Sequence, residues 1–137
     1  MENHWQLTDA EFEMQFANAT FDPAIFSHEA HLRLAWIHLD RYGLRQAEEN
    51  ICQQLVNFVT TLGASDKFNK TLTVAAIKAV HHFMQKSQSD NFADFIEKFP
   101  RLKYNFKELI GYHYGFDIFE SVRAKQEYLE PDLQPFD

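Results

Sequence analysis

Residues 44–62, LRQAEENICQQLVNFVTTL, have the clearest periodic pattern in this chain. Apolar side chains recur there every three or four residues, which places them on one face of an α-helix. That face is formed by Leu44, Ala47, Ile51, Leu55, Phe58 or Val59, and Leu62. Gly63 follows, and glycine commonly ends a helix. The stretch therefore predicts a long amphipathic helix that packs against others.

The composition extends this prediction to the whole chain. Its 137 residues include 14 Phe, five Tyr and two Trp but only four Gly and four Pro, which favours long elements around an aromatic-rich core. This length is enough for one hydrophobic core. We therefore predict an all-α fold, a single-domain helical bundle of five to seven helices over residues 1–137. Prolines at 131 and 135 predict an extended C-terminal tail.

Charge and cysteine content exclude several classes of function. A formal net charge of -7 argues against a large phosphate-binding face, so we interpret the cations from Arg101 to Lys107 as a solvated helix face. The single cysteine, Cys52, cannot form an intramolecular disulfide, and no apolar run is long enough for a membrane span. We expect a cytoplasmic protein that binds neither nucleic acid nor membrane. An exposed aromatic patch would make a homodimer plausible.

Three further helices carry the residues of a candidate site. A helix over 27–42 begins its inward stripe with His28, a helix over 69–86 begins with polar residues, and a helix over 102–114 contains His113. If helices joined by short loops run antiparallel, these polar ends meet at one end of the bundle. The expected pocket residues are His28, Glu29, His31, Asn69, Thr71, Thr73, His113 and Tyr114.

Two kinds of chemistry suit these side chains. His28 and His31 are three residues apart on a helix, close enough to bind one ion, and His113 would supply a third nitrogen. Three histidines suit zinc, whereas two histidines with Glu29 suit non-haem iron, so a divalent transition metal is one expectation. Alternatively, a histidine oriented by Glu29 acts as a base on a metal-free small-molecule ligand.

A purely structural interpretation uses the same residues. Ser27 suits a helix N-cap, Glu29 complements the helix dipole, and His28 and His31 can be half-buried structural groups. The protein would then be a non-catalytic interaction domain. The leading prediction is nevertheless a small-molecule-binding or enzymatic protein with a polar, histidine-rich pocket.

The motifs resemble those of a group of small bacterial all-helical proteins of unassigned function. Residues 26–32 match F-[ST]-H-E-A-H-L, residues 71–73 match T-[LI]-T, His113 and Tyr114 match H-Y, and residues 130–135 match E-P-D-L-x-P. The resemblance implies that these motif positions form the functional site. This chain departs from the group at Asn69, where the group has histidine, so a metal there would lack one imidazole ligand.

Overall fold

The computed structural model describes residues 1–136, and within them the chain is helical without strands. This confirms the predicted all-α class. Eight α-helices occur in the described part, five of them of seven residues or more. No helix there combines the length and the apolar character needed to cross a membrane. The chain divides into two compact units, residues 1–68 and residues 69 onward. A compact unit is a domain only if it can fold alone, so the single domain stays a prediction.

Unit 1 is built from three α-helices and three short 3-10 turns. The helices are α1 (Asp9–Ala17), α2 (His28–Tyr42) and α3 (Leu44–Thr61). The 3-10 turns are Asn3–Gln6, Pro23–Ile25 and Ser65–Lys67. The α2 and α3 helices form the most extensive pairing of this unit, and α1 packs on both.

The helix starts of unit 1 follow from local chemistry. The Thr8 hydroxyl accepts from the Glu11 amide at 3.1 Å while Glu11 accepts from the Thr8 amide at 2.9 Å, which is a capping box. The Ser27 hydroxyl accepts from the Ala30 amide at 3.2 Å at the start of α2. Each bond satisfies an N–H group that has no partner within the helix.

Phenylalanine rings form the core of unit 1. Phe12 and Phe16 of α1 are completely buried, as their helical spacing predicts. Their rings contact those of Phe21, Phe26 and Phe58, with centroids 4.6–4.8 Å apart, and lie 6.0 Å from each other. These distances are typical of favourable aromatic pairs, so ring packing holds α1 on α3 and on the segment that leads into α2.

Unit 2 begins with one long helix and continues with four short ones. They are α4 (Lys70–Met84), α5 (Phe92–Lys98), α6 (Arg101–Tyr104), α7 (Phe106–Gly111) and α8 (Val122–Gln126). The prediction of one helix over 102–114 is wrong, because Asn105 leaves helical geometry at φ -130° and ψ 32°. His113 therefore follows a helix instead of lying within one.

The tail packs onto the core of unit 2. This core contains Ala75, Ile110, Tyr114, Ile118 and Ala124, and Phe136 packs against it. From residue 127 to residue 136 the chain has no helix or strand, which confirms the predicted extended tail.

Candidate functional site

The motif at the start of α2 presents its side chains differently from the prediction. His28 and His31 are exposed, whereas Glu29 is only 5% exposed. The placement of His28 on the inward stripe is therefore wrong. The buried face of this first turn begins one position later, with Glu29 followed by Arg33. His31 stacks on Phe26, with ring centroids 3.8 Å apart.

Glu29 is held by the first residues of the chain. Its Oε1 accepts a hydrogen bond from Nε2 of His4 at 2.7 Å and another from Nε1 of Trp5 at 2.8 Å. His4 is completely buried in the 3-10 turn Asn3–Gln6. Two donors on one buried oxygen offset much of the cost of removing the carboxylate from water.

Arg33 completes this buried network from the next turn of α2. Its guanidinium donates to the carbonyl oxygens of His4 and Leu7, both at 2.7 Å, and to Oδ1 of Asp9 at 2.9 Å. A further bond of 3.3 Å joins Nη1 to Nδ1 of His4. Because Arg33 can only donate, these partners assign the neutral His4 tautomer with its proton on Nε2.

The same region contains a cluster of potential metal ligands that sequence reasoning missed. Within the described residues, ligand atoms of Glu2, His4 and Glu29 lie within 4.8 Å of one another. The cluster includes none of the three histidines predicted as metal ligands. His4 already bridges Glu29 and Arg33 by hydrogen bonds, which explains the arrangement structurally. No local pattern marks His4, because its partners lie 25 and 29 residues away.

Three histidines of unit 1 have lowered pKa values, among them His31, whose pKa falls to about 4. Burial lowers the pKa of His4, although the bond to Glu29 opposes the shift. Burial also lowers the pKa of His38, which is 1% exposed and whose Nε2 has no hydrogen-bond partner among residues 1–136. Both rings are therefore harder to protonate in the folded protein than in the unfolded chain, where the pKa is 6.5.

Acidification is expected to destabilise the fold through these histidines. As pH falls from about 7.5 to about 5.5, the unfolded chain binds protons that the folded rings exclude. Each ring therefore lowers the free energy of unfolding by up to about 1.4 kcal/mol. Urea unfolding at both pH values measures the loss. His38→Leu should reduce the loss by up to about 1.4 kcal/mol, because the variant lacks that titrating group. An unchanged loss in His38→Leu would contradict the lowered pKa.

Polar residues at the start of α4 form hydrogen bonds that connect this helix to a later segment of unit 2. Asn69 caps α4 by accepting from the Leu72 amide at 2.9 Å, and its Nδ2 donates to the Ile118 carbonyl at 2.8 Å. Thr73 donates to the Asn69 carbonyl at 2.8 Å. Asn69 thus ties the start of α4 to the backbone of Ile118.

Thr71 and Tyr114 hold the first residues of the tail. Thr71 is completely buried, and its hydroxyl donates to the Glu127 carbonyl at 2.7 Å and accepts from the Leu129 amide at 3.0 Å. The Tyr114 hydroxyl donates to the Leu129 carbonyl at 2.8 Å, and burial raises the pKa of Tyr114. Both side chains therefore form hydrogen bonds with the backbone of Leu129.

His113 contacts the tail through its ring and its backbone. Its Nδ1 lies 2.6 Å from the Gln134 carbonyl oxygen and must donate to it, since a carbonyl only accepts. Its carbonyl accepts from the Leu133 amide at 3.0 Å, and its ring stacks on Phe136 with centroids 4.0 Å apart. In the neutral ring, Nε2 is then the nitrogen with a free lone pair.

A cleft of about 530 Å³ lies beside His113 within unit 2. Its apolar lining includes the buried residues Ala79, Leu109 and Ile110. The described lining residues are Ala79, His82, Phe83, Lys86, Arg101, Leu109, Ile110, Tyr112, His113, Gln134, Pro135 and Phe136. Helices α4, α6 and α7 and the tail all contribute to it.

The predicted site residues thus lie in different local surroundings. Glu29 joins His4, Thr71 and Tyr114 meet at Leu129, and of the predicted residues only His113 lines the cleft just described. Convergence of His28 and His31 with His113, and the metal site built on it, stay predictions. Arg101 is exposed, in agreement with the solvated helix face, but no sequence pattern indicates that it lines a cleft with Lys86.

Comparisons of the chain with known protein families, with curated proteins and with solved structures gave no match. The family resemblance drawn from the motifs, and the bacterial origin that it implies, therefore stay predictions.

Proposed function

We propose that this protein binds a small organic molecule in the cleft beside His113. The observation that carries the proposal is a concave space of about 530 Å³ whose lining combines apolar and aromatic side chains with several polar groups. Most small-molecule sites have volumes of roughly 300–1,000 Å³ and this mixture of surfaces. The cleft therefore has the size and chemistry of a ligand site.

The wall formed by the tail supports this proposal because it is held in place. Besides the three contacts with His113, Oδ1 of Asp132 accepts from the Gly115 amide at 2.8 Å. A wall fixed before binding reduces the ordering cost that a ligand must overcome. Phe136 then offers a preformed aromatic surface to the ligand.

His113 supplies an oriented polar group at the cleft. Since Nδ1 donates to Gln134, the neutral imidazole has Nε2 as a hydrogen-bond acceptor or base. A ligand with a hydroxyl or amide N–H can use this acceptor. Nε2 can therefore bind such a ligand by a hydrogen bond, and it can accept a proton if the ligand is reactive.

A structural role is favoured for the polar motif at the start of α2. Glu29 and Arg33 fix the first nine residues through His4, Leu7 and Asp9, and this accounts for the buried polar atoms described above. This part of the motif thus stabilises unit 1.

Protein-observed NMR with a set of aromatic acids, amines and neutral amides tests the proposed function. Binding should shift the backbone amide signals of cleft residues such as Phe83, Tyr112 and His113. Phe136→Ala should weaken binding about tenfold, since it removes an aromatic wall. Phe116→Ala, a ring that does not line the cleft and is 40% exposed, is the matched control and should bind normally. Shifts confined to other surfaces, or equal effects of the two variants, would reject the cleft as the site.

A further inference from the structure

The charged side chains around the cleft are all basic. Lys86 and Arg101 line it together with His82 and His113, and its described lining contains no Asp or Glu. The whole protein has 20 acidic and 13 Lys or Arg residues. A basic cleft in an acidic protein indicates recognition of negative charge.

The two cations of the cleft differ from neighbouring cations in their partners. Within residues 1–136, neither Lys86 nor Arg101 forms a salt bridge, whereas Lys98 lies 3.2 Å from Asp94 and Arg123 lies 3.4 Å from Glu127. The Arg101 guanidinium instead lies over the ring of Tyr112, 6.0 Å from its centroid. Stacking on a ring leaves the planar guanidinium N–H groups available to an anion.

Apolar surface accompanies this positive charge. Phe83 and Phe136 line the same cleft as Lys86 and Arg101. A free inorganic ion would use only the cations and leave the aromatic lining in contact with water. A molecule with an anionic group and an apolar body would use both surfaces.

We propose that the ligand of this cleft is an organic anion, with a carboxylate or phosphate group bound by Arg101 and Lys86 and an aromatic or aliphatic body packed on Phe83 and Phe136. This inference rests on the proposed function, because it specifies the chemistry of the same site. Arg101 provides paired donors for two anionic oxygens, and Lys86 adds a mobile charge.

Two fluorescent probes with almost the same skeleton test the inference on the full chain. Anilinonaphthalene sulfonate carries one negative charge, whereas N-phenylnaphthylamine is neutral. The anionic probe should bind at least about tenfold more tightly. The double variant Arg101→Gln/Lys86→Gln should remove most of this difference while binding of the neutral probe stays within about twofold.

The matched control is Arg123→Gln/Lys107→Gln, which removes two exposed cations outside the cleft. It should retain the preference for the anionic probe. Equal binding of both probes in the cleft would overturn the anion inference and leave the proposed function standing. Binding of neither probe in the cleft would count against both.

Displacement of the anionic probe identifies the acidic group. Naphthoate and naphthyl phosphate share one apolar body, so the compound that displaces the probe at lower concentration shows whether carboxylate or phosphate is preferred. Inorganic phosphate should displace it only at much higher concentration, because it lacks the apolar body. Displacement by neither aromatic acid, or by inorganic phosphate equally well, would contradict the proposal.

Discussion

Arg33→Ala is expected to lower the free energy of unfolding by about 3–5 kcal/mol, because it breaks the hydrogen-bond network around a buried guanidinium. Arg33 is 4% exposed and donates to the carbonyls of His4 and Leu7 and to Asp9. Its guanidinium also lies over the ring of Phe12, 4.9 Å from the centroid. The alanine variant loses the donors and the packing together. Equilibrium urea unfolding measures the change.

Arg41→Ala is the matched control on the same helix. Arg41 forms a 2.8 Å ion pair with Glu13, but its side chain is 42% exposed. Exposed pairs contribute about 0–1 kcal/mol, so this variant should remain close to the parent protein. Losses of similar size in the two variants would contradict a special role for the buried network.

Thr71→Val should lower the free energy of unfolding by about 2 kcal/mol, because an isosteric methyl group takes two hydrogen bonds from the partly buried backbone of residues 127–129. Thr71 is completely buried, and its hydroxyl bonds both the Glu127 carbonyl and the Leu129 amide. Urea unfolding gives the loss of stability. Hydrogen exchange should also show faster exchange of the Leu129 amide in the variant.

Thr73→Val provides the comparison two residues along α4. Among residues 1–136 its hydroxyl bonds only the Asn69 carbonyl, which lies in the same turn, and Thr73 is half-buried. A change within about 0.5 kcal/mol is expected, since water can replace this bond. Equal losses of stability in Thr73→Val and Thr71→Val would show that Thr71 does not stabilise the fold by holding residues 127–129.

Helix starts were predictable because their signals act within one turn. The Ser27 cap forms as predicted, and the capping box follows from a threonine placed three residues before a glutamate, Thr8 and Glu11. The burial of Phe12 and Phe16 follows from helical spacing in the same way. The prediction of one helix over 102–114 failed because no such local signal exists at Asn105. No proline or glycine marks the break between α6 and α7.

The motif at the start of α2 shows where prediction from the sequence ends. Its helix, its Ser27 cap and its polar character follow from the residues themselves. Which side chain points inward does not, because Glu29 is buried only where His4 and Trp5 provide donors from a distant turn. His28 is exposed because the next residue, Glu29, is the one that faces inward.

The sequence by itself determined the all-α class, the caps, the aromatic composition of the core and the extended tail. All of these depend on periodicity or on interactions within about four residues. Only the tertiary structure decided that Glu29 binds His4, that Thr71 holds Leu129 and that Arg101 shares a cleft with His113. The physical reason is that buried polar groups need partners, and folding can supply them from any part of the chain.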